Sequence, residues 1–353
     1  MTVTYHSGRR IQGTQADFDG TPAVSGGWKE VGRTTLGSAG DDIDVTSLPD
    51  KRYYMVLGHS LPTGQARMQF RLNSDTGANY AYRASVDGGA DVTAGSAVRI
   101  ISGYGSTSLP QFTVAYLSNL SSKEKLFMSN TISQGTAGAG NAPNRQENVN
   151  KWANTSSVIS SIQGSNDLGG DFNTNSEVVV LGYDPDDTHT SNFWEELASV
   201  ELTSAGDSIS SGTFTAKKYL WIQGYVKASG AIQGKIRVGN GTIDTGSNYA
   251  DRNSVDGGSD GTNTSGTAIG VGGGGSTGGE FFNCFVINNA SNEKLFIIHS
   301  VKQNTAGAGT APRRKEVVGK WSNTSNQINI VEYLQSEAGS FDTGSFIKVW
   351  GSN

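Results

Sequence analysis

The chain reads as an all-β protein: two tandem antiparallel β-sandwich domains of jelly-roll-like kind, derived from an internal duplication and preceded by an N-terminal arm. Three observations predict this. The composition is rich in glycine and poor in charge. Short apolar segments alternate with clusters of Gly, Asn, Asp and Ser. Most of the sequence is written twice. Of 353 residues 48 are glycine, only 17% are charged, and the formal net charge is −5. Strands bounded by turn-forming residues produce such a composition, and helical proteins do not.

The repeat sets the domain boundaries. DTGANY at 75–80 returns as DTGSNY at 244–249, VDGGAD at 86–91 as VDGGSD at 255–260, and KEKLF at 123–127 as NEKLF at 292–296. Each pair is offset by 169 residues, and 123–156 shares 20 of 34 positions with 292–325. Upstream the offset is 166, as in SAGD at 38–41 and 204–207, so the second copy gains three residues around Gly239–Ile243. A unit of this size is a duplicated domain and not a solenoid repeat. Residues 1–26 form the arm, 27–187 the first sandwich and 188–353 the second. The polar join DPDDTHTSN at 184–192 is short, which suits domains docked side by side or end to end.

Within copy one the apolar runs are RYYMVLG (52–58), ARMQFRLN (66–73), AVRIIS (97–102), QFTVAYLSN (111–119), KLFMSNTI (125–132), SVISSIQ (157–163) and SEVVVLG (176–182). Copy two repeats most of them. They read as alternating strands rich in aromatic and β-branched residues, about eight per copy. No useful window sustains a 3.6-residue period. The glycine run GVGGGGSTGG (270–279) reads as a flexible surface loop, because neither a Lys-Ser/Thr pair nor a helix follows it.

Several chemistries find no support. No stretch of about 18 apolar residues is present, so no membrane span is expected. The segment MTVTYHSGRRIQG lacks the apolar core of a secretory signal. The single cysteine, Cys284, excludes an intrachain disulfide, and its alignment with Ala115 marks a small core position. The mildly acidic balance leaves no footprint for nucleic acid. His6, His59, His189 and His299 have no counterparts in the other copy, and no nucleophile elbow, zinc-protease or Walker motif occurs. An enzyme is not expected, nor a cofactor. Asp184, Asp186 and Asp187 at the join are a weak candidate for a hard cation, against the alternative of a solvated acidic turn.

Two segments hold the remaining candidates. The loop QGTAGAGNAPNRQENVNKWANTS (134–156) and its echo at 303–325 are long for a connector. Either Trp152 and Trp321 pin this loop to the sandwich, or the loop, with Arg145 and Arg314, contacts a subunit or ligand. Asn79 with Tyr80, and Asn248 with Tyr249, suit either tight turns or the reading of a sugar by amide and ring. The sugar reading requires Tyr80, Tyr249, Trp152 and Trp321 to be exposed.

These motifs resemble a family of phage virion-associated β-sandwich modules. The resemblance rests on RLNSDTGANY (71–80), on KWANTS (151–156) and KWSNTS (320–325), and on FDTGSFIKVWG (341–351). Copy one departs at the last, with FNTNSEVVVLG, and copy two at the first, with RVGNGTIDTGSNY. The arm segment YHSGRRIQGT (5–14) is similar to N-terminal segments of marine phage structural proteins. The resemblance implies a non-enzymatic protein of the virion and is shared by head-surface and tail components. The duplicated modules, the lack of a catalytic constellation and the basic arm point to a capsid surface decoration or cement protein. The alternatives are a tail, fibre or baseplate attachment protein, or a carbohydrate-binding adhesin. It implies other virion proteins as partners, a homo-oligomer such as a trimer, and a host-surface glycan in the adhesin case. Arg9, Arg10, Ile11 and Gln12 are the expected tether to neighbours.

Overall fold

A computed structural model describes residues 24–25, 27–103, 105, 108–185, 187–189, 191–275 and 277–353. The tether candidates Arg9, Arg10, Ile11 and Gln12, and Asp186 of the acidic join, lie outside the described residues. The described residues form strands and no helix, as the composition predicts.

Each half contains one large and one small antiparallel sheet, and both halves have the same strand order. In the first, the large sheet runs Lys29–Thr35, Glu177–Tyr183, Tyr53–Ser60, Gln111–Ser118, Lys125–Ser133, Asn144–Trp152, Tyr80–Val86, Val92–Ala97. In the second it runs Glu195–Glu201, Phe346–Ser352, Tyr219–Val226, Glu280–Ile287, Lys294–Lys302, Arg313–Trp321, Tyr249–Val255, Gly261–Gly266. The small sheet is Asp42–Val45, Ile162–Ser165, Gln69–Leu72 in the first. In the second it is Ser208–Thr213, Ile330–Gln335, Gly234–Asn240, with two short additions. One addition, Thr242–Ile243, lies in the three-residue insertion and turns back on the preceding strand. The strands therefore divide eight and three about the first inner core and eight and five about the second. Tyr54, Val56, Phe70, Ile162 and Val178 meet in the first core, and Ile222, Ile236, Phe282, Tyr333 and Val349 in the second.

A third core joins the halves. Met55, Leu57, Phe112, Val114, Val179 and Leu181 point away from the first inner core. They pack against Trp194, Tyr219, Phe285, Leu295, Ile297 and Val318 of the second half. The two large sheets thus meet face to face, and the molecule has four layers with the small sheets outermost. The central strands are consequently buried on both sides. Val178 and Val180 enter the inner core while Val179 and Leu181 enter the seam. This is why SEVVVLG and RYYMVLG are continuous apolar runs and not alternating ones, a pattern that follows from two-sided burial. At roughly 1.5–3 kcal/mol for each large apolar side chain removed from water, the seam holds the halves as one body. The short join runs alongside: Thr188–His189 pairs with Val24–Ser25, the end of the arm.

Polar contacts frame the seam. Glu177 of the first half accepts hydrogen bonds from Tyr219 Oη at 2.6 Å and Lys218 Nζ at 3.0 Å of the second. Burial alone would raise the Glu177 carboxyl, but bonds from Thr35, Tyr219 and Lys218 hold it below its ordinary value. His59 lies beside this group, fully enclosed, and its Nδ1 has no hydrogen-bond partner among the described residues. Burial, reinforced by the Lys218 charge, lowers its pKa to about 3.

The buried neutral His59 sets an acid limit on the fold. Its folded pKa is depressed, so its contribution is complete above the unfolded value near 6.5 and is lost as pH falls toward 3. The slope is at most about 1.4 kcal/mol per pH unit. We predict that urea midpoints fall between pH 7 and pH 5, and that His59→Gln reduces this dependence. An unchanged slope in the variant would remove His59 from the account.

Candidate functional site

The repeated residues build the same internal lock in each half. Asp75 accepts hydrogen bonds from Trp152 Nε1 at 2.7 Å, from Gly77 N at 2.8 Å and from Asn79 Nδ2 at 2.9 Å. Asp244 does the same with Trp321 at 2.7 Å and with Gly246 and Asn248 at 2.8 Å. Burial pushes both carboxyls up, but these donors outweigh it and leave both below the ordinary range. Tyr80 and Tyr249 lie beneath, each accepting a backbone N–H at 3.1 Å from Leu72 and Val238. Lys125 and Lys294 cover the faces of Trp152 and Trp321. Of the two readings of these residues, the structure shows the turn and the pinned loop, and these four rings form no exposed sugar platform. Tyr80, Tyr249, Trp152 and Trp321 are all buried, because their polar ends close the DTG turn and their rings fill the inner core. Asn79 and Asn248 are exposed, yet their amides are spent on Asp75 and Asp244.

The loops that carry these tryptophans have different fates. In the first half, 134–143 crosses onto the second half. Lys320 Nζ donates to the carbonyls of Gln134 at 3.1 Å and Thr136 at 2.6 Å. Gly138 N donates to Glu293 at 2.5 Å, Ser265 N to Ala139 O at 2.7 Å, and Arg252 Nε to Pro143 O at 2.9 Å. Arg145, expected at an assembly or ligand contact, lies in the seam. It pairs with Asp260 at 2.7 Å, Glu147 at 2.5 Å and Glu316 at 3.2 Å. Gly88 stands against Asp260 with φ of +71°, a place closed to any side chain by conformation and by space. In the second half the equivalent loop, 303–312, is largely solvent-exposed, and the Arg314 guanidinium pairs with Glu316 of its own strand at 3.3 Å.

The most exposed apolar surface lies on the outer face of the first large sheet, beyond the seam. Leu126, Met128 and Val149 are 59%, 55% and 54% exposed. They adjoin Trp28, Tyr53, Tyr116 and Tyr183, whose rings lie 5.7–6.3 Å apart as neighbours. Together they line an open cleft of about 850 Å³ bordered by Arg83 and Lys151. Single exposed apolar residues are ordinary, but a contiguous patch of this kind marks a contact surface. The alternating expectation for KLFMSNTI contained this surface, since Leu126 and Met128 occupy the outward positions.

Acidic residues do converge elsewhere, in a smaller cleft of about 320 Å³ at the seam lined by Asp91, Glu147, His299 and Glu316. Burial raises Glu147 above its ordinary value, Arg145 opposing and Glu316 adding to the rise. Both glutamates are counter-ions of one guanidinium. The second core also encloses charges that have no equivalent in the first. Lys302 and Lys315 donate to carbonyls of the glycine run, Arg313 to Gly274 O at 2.8 Å, and Tyr333 to Glu280. The run 270–275 is thus bound through its backbone, a correction to the flexible loop the sequence predicts. Asp187 pairs with Lys51 at 2.5 Å, and among the described residues no group of three His, Cys, Asp or Glu side chains could hold a metal.

No protein-family model and no curated protein sequence matches the chain. Among solved structures it is similar to domains LG4-5 of the mouse laminin alpha1 chain. The identity is 8% over 93% of this chain and 91% of that one, with a TM-score of 0.19. It is also similar to the binding domain of botulinum neurotoxin serotype D/C, at 6% identity over 90% and 94%, with a TM-score of 0.19. Likeness this weak carries no argument about function. No helix among the described residues is long and apolar enough to cross a membrane.

Two predictions follow from the locks and the seam. Trp152→Phe removes a bond to a charged acceptor and is expected to cost about 1–3 kcal/mol by urea unfolding, as is Trp321→Phe. Arg145→Met strands Asp260 in the seam and is expected to cost about 3–5 kcal/mol. Arg314→Met, at the equivalent exposed position, is expected to change stability by less than about 0.5 kcal/mol.

Proposed function

We propose that this chain is a non-enzymatic structural protein of a phage particle, placed on the capsid surface as a decoration or cement component. The observation that carries the reading is the open apolar sheet face of Tyr53, Tyr116, Leu126, Met128 and Val149, backed by a rigid four-layer body. Such a face is suited to burial against protein, where its area is removed from water. The resemblance of RLNSDTGANY, the KW-NTS segments and FDTGSFIKVWG to virion modules supports a place in the particle, shared by head and tail components. The seam acids support the non-enzymatic part, because Glu147, Glu316 and Asp260 are all tied up as ion-pair partners of Arg145. In this reading the arm, with Arg9, Arg10, Ile11 and Gln12, is the tether to neighbouring virion proteins.

A second reading is favoured by one observation. Trp28, Tyr53, Tyr116 and Tyr183 form an aromatic cluster on the open face, and such a cluster stacks on sugar rings. It replaces the buried set as the platform for a host-surface glycan in an attachment protein. Immunogold labelling of intact particles separates the two. Label spread over the head is the expected result. Label confined to a vertex or tail, with glycan-array binding lost in Tyr53→Ala, would replace decoration by attachment. Absence of label from particles would overturn both.

A further inference from the structure

The contact that joins the two halves is heterologous: each half contributes a different face. The first half presents Met55, Leu57, Phe112 and Val114, the loop 134–143 and Arg145. The second half receives them on Leu295, Ile297, Val318, Glu293, Lys320 and Asp260. Because the halves share one strand order, each also has the face that it does not use. A heterologous contact between like units leaves one donor face and one acceptor face open at the ends.

The unused acceptor face is the apolar cleft of the first half. Leu126, Met128 and Val149 stand where Leu295, Ile297 and Val318 are 0%, 2% and 2% exposed. The polar anchors are retained without change: Arg83 for Arg252, Asp91 for Asp260, Glu124 for Glu293, Glu147 for Glu316, Lys151 for Lys320. All of these sit at one offset, 169 residues. Four of them wait in exposed pairs, Arg83 with Asp91 at 3.0 Å and Lys151 with Glu124 at 3.0 Å. The unused donor face is on the second half. Thr305, Gly307, Ala308 and Pro312 repeat Thr136, Gly138, Ala139 and Pro143, and Arg314 repeats Arg145. Phe281 and Val301, which stand for Phe112 and Ile132, are 41% and 44% exposed.

We infer that the chain associates head to tail with a second copy of itself, the second half of one molecule seating on the apolar cleft of the next molecule's first half. The contact reproduces the seam already present inside each chain. Arg314 of one molecule takes Asp91 of the next, as Arg145 takes Asp260. The loop 303–312 lies across Lys151 and Arg83, as 134–143 lies across Lys320 and Arg252. The donor face differs at its centre, where Gln223, Asn283 and Lys348 replace Leu57, Val114 and Val179. Those polar groups make the contact weaker than the seam, so it is a reversible association driven by concentration. The result is an open row of chains or a closed ring, according to the rotation at each joint. This inference stands whether or not the particle assignment does.

Sedimentation velocity and equilibrium on the full chain test it. The mean mass is expected to rise past two chains as concentration increases from about 1 μM to about 200 μM, and to fall with added salt. Arg314→Asp and Asp91→Arg each reverse one exposed charge, so both variants fold, which thermal unfolding checks. Each alone is expected to weaken association by about 10-fold or more. Mixed together, the two variants are expected to regain growth past two chains, in rows that alternate one variant with the other. Opposite charges meet at both kinds of mixed junction, the reversed pair and the native Arg314–Asp91 pair, whereas like charges meet wherever a variant follows itself. A wild-type chain that remains monomeric throughout overturns the proposal. So does a species that stops at a dimer and ignores both substitutions, which is what cleft-on-cleft pairing would give.

Discussion

The structure depends on the burial of both faces of the two large sheets. An antiparallel sheet ordinarily keeps one face wet, and its strands then alternate. Here the outward residues of Tyr53–Ser60 and Glu177–Tyr183 meet those of Tyr219–Val226 and Lys294–Lys302 in a shared core. The seam makes one body of two sandwiches, and it places His59, Glu177, Arg145 and Asp260 where water does not reach. Enclosure lowers the His59 pKa, and the partners it gathers around Glu177 hold that carboxyl below its ordinary value. The same constraint explains the exposed remainder: a second half displaced along the first sheet covers one part of it and leaves another open.

The duplicated segment serves two purposes at once, separated by the pleat of the strand. Residues pointing inward, Trp152 and Lys125 with Asp75 and Tyr80, repeat because each sandwich needs the same lock to close its DTG turn. Residues pointing outward, Lys151, Glu124 and Arg83, repeat although one copy of them faces a partner and the other faces solvent. Inner repetition has a sufficient cause in folding. Outer repetition does not, because exposed ion pairs contribute little to stability. It is this difference that gives the open face of the first half its interest.

The buried charges of the second core show that the two halves differ in core chemistry while sharing one strand order. Where the first half has Gln111 and Ser133, the second has Glu280 and Lys302. The glycine run supplies carbonyl oxygens to Lys302 and Lys315 that the first half has no need to supply. A side chain at Gly272 would strike Glu280, so glycine is required there by space. A run that looks like slack in the sequence is packed against cations in the fold.

Strand identity, the all-β tandem-sandwich class and the buried state of Cys284 and Ala115 were legible in the sequence, because they rest on local pattern and on repeated segments. The inner lock was half legible: the spacing of Asp75, Asn79, Tyr80 and Trp152 was visible, but whether the rings were covered was not. That depends on the strand Asn144–Trp152 lying beside Tyr80–Val86, a pairing of residues some 70 apart. One signal for the seam was present and unread, in the consecutive apolar residues of VVVL and YYMVL. The sequence alone therefore determined what each copy is. Only the tertiary structure decided which of two equivalent faces is covered. Leu126 and Leu295 lie in the same local sequence, KLF, and have the same propensity. Nothing local distinguishes them; one has a neighbouring sheet on it and the other does not, and burial is a property of the neighbour.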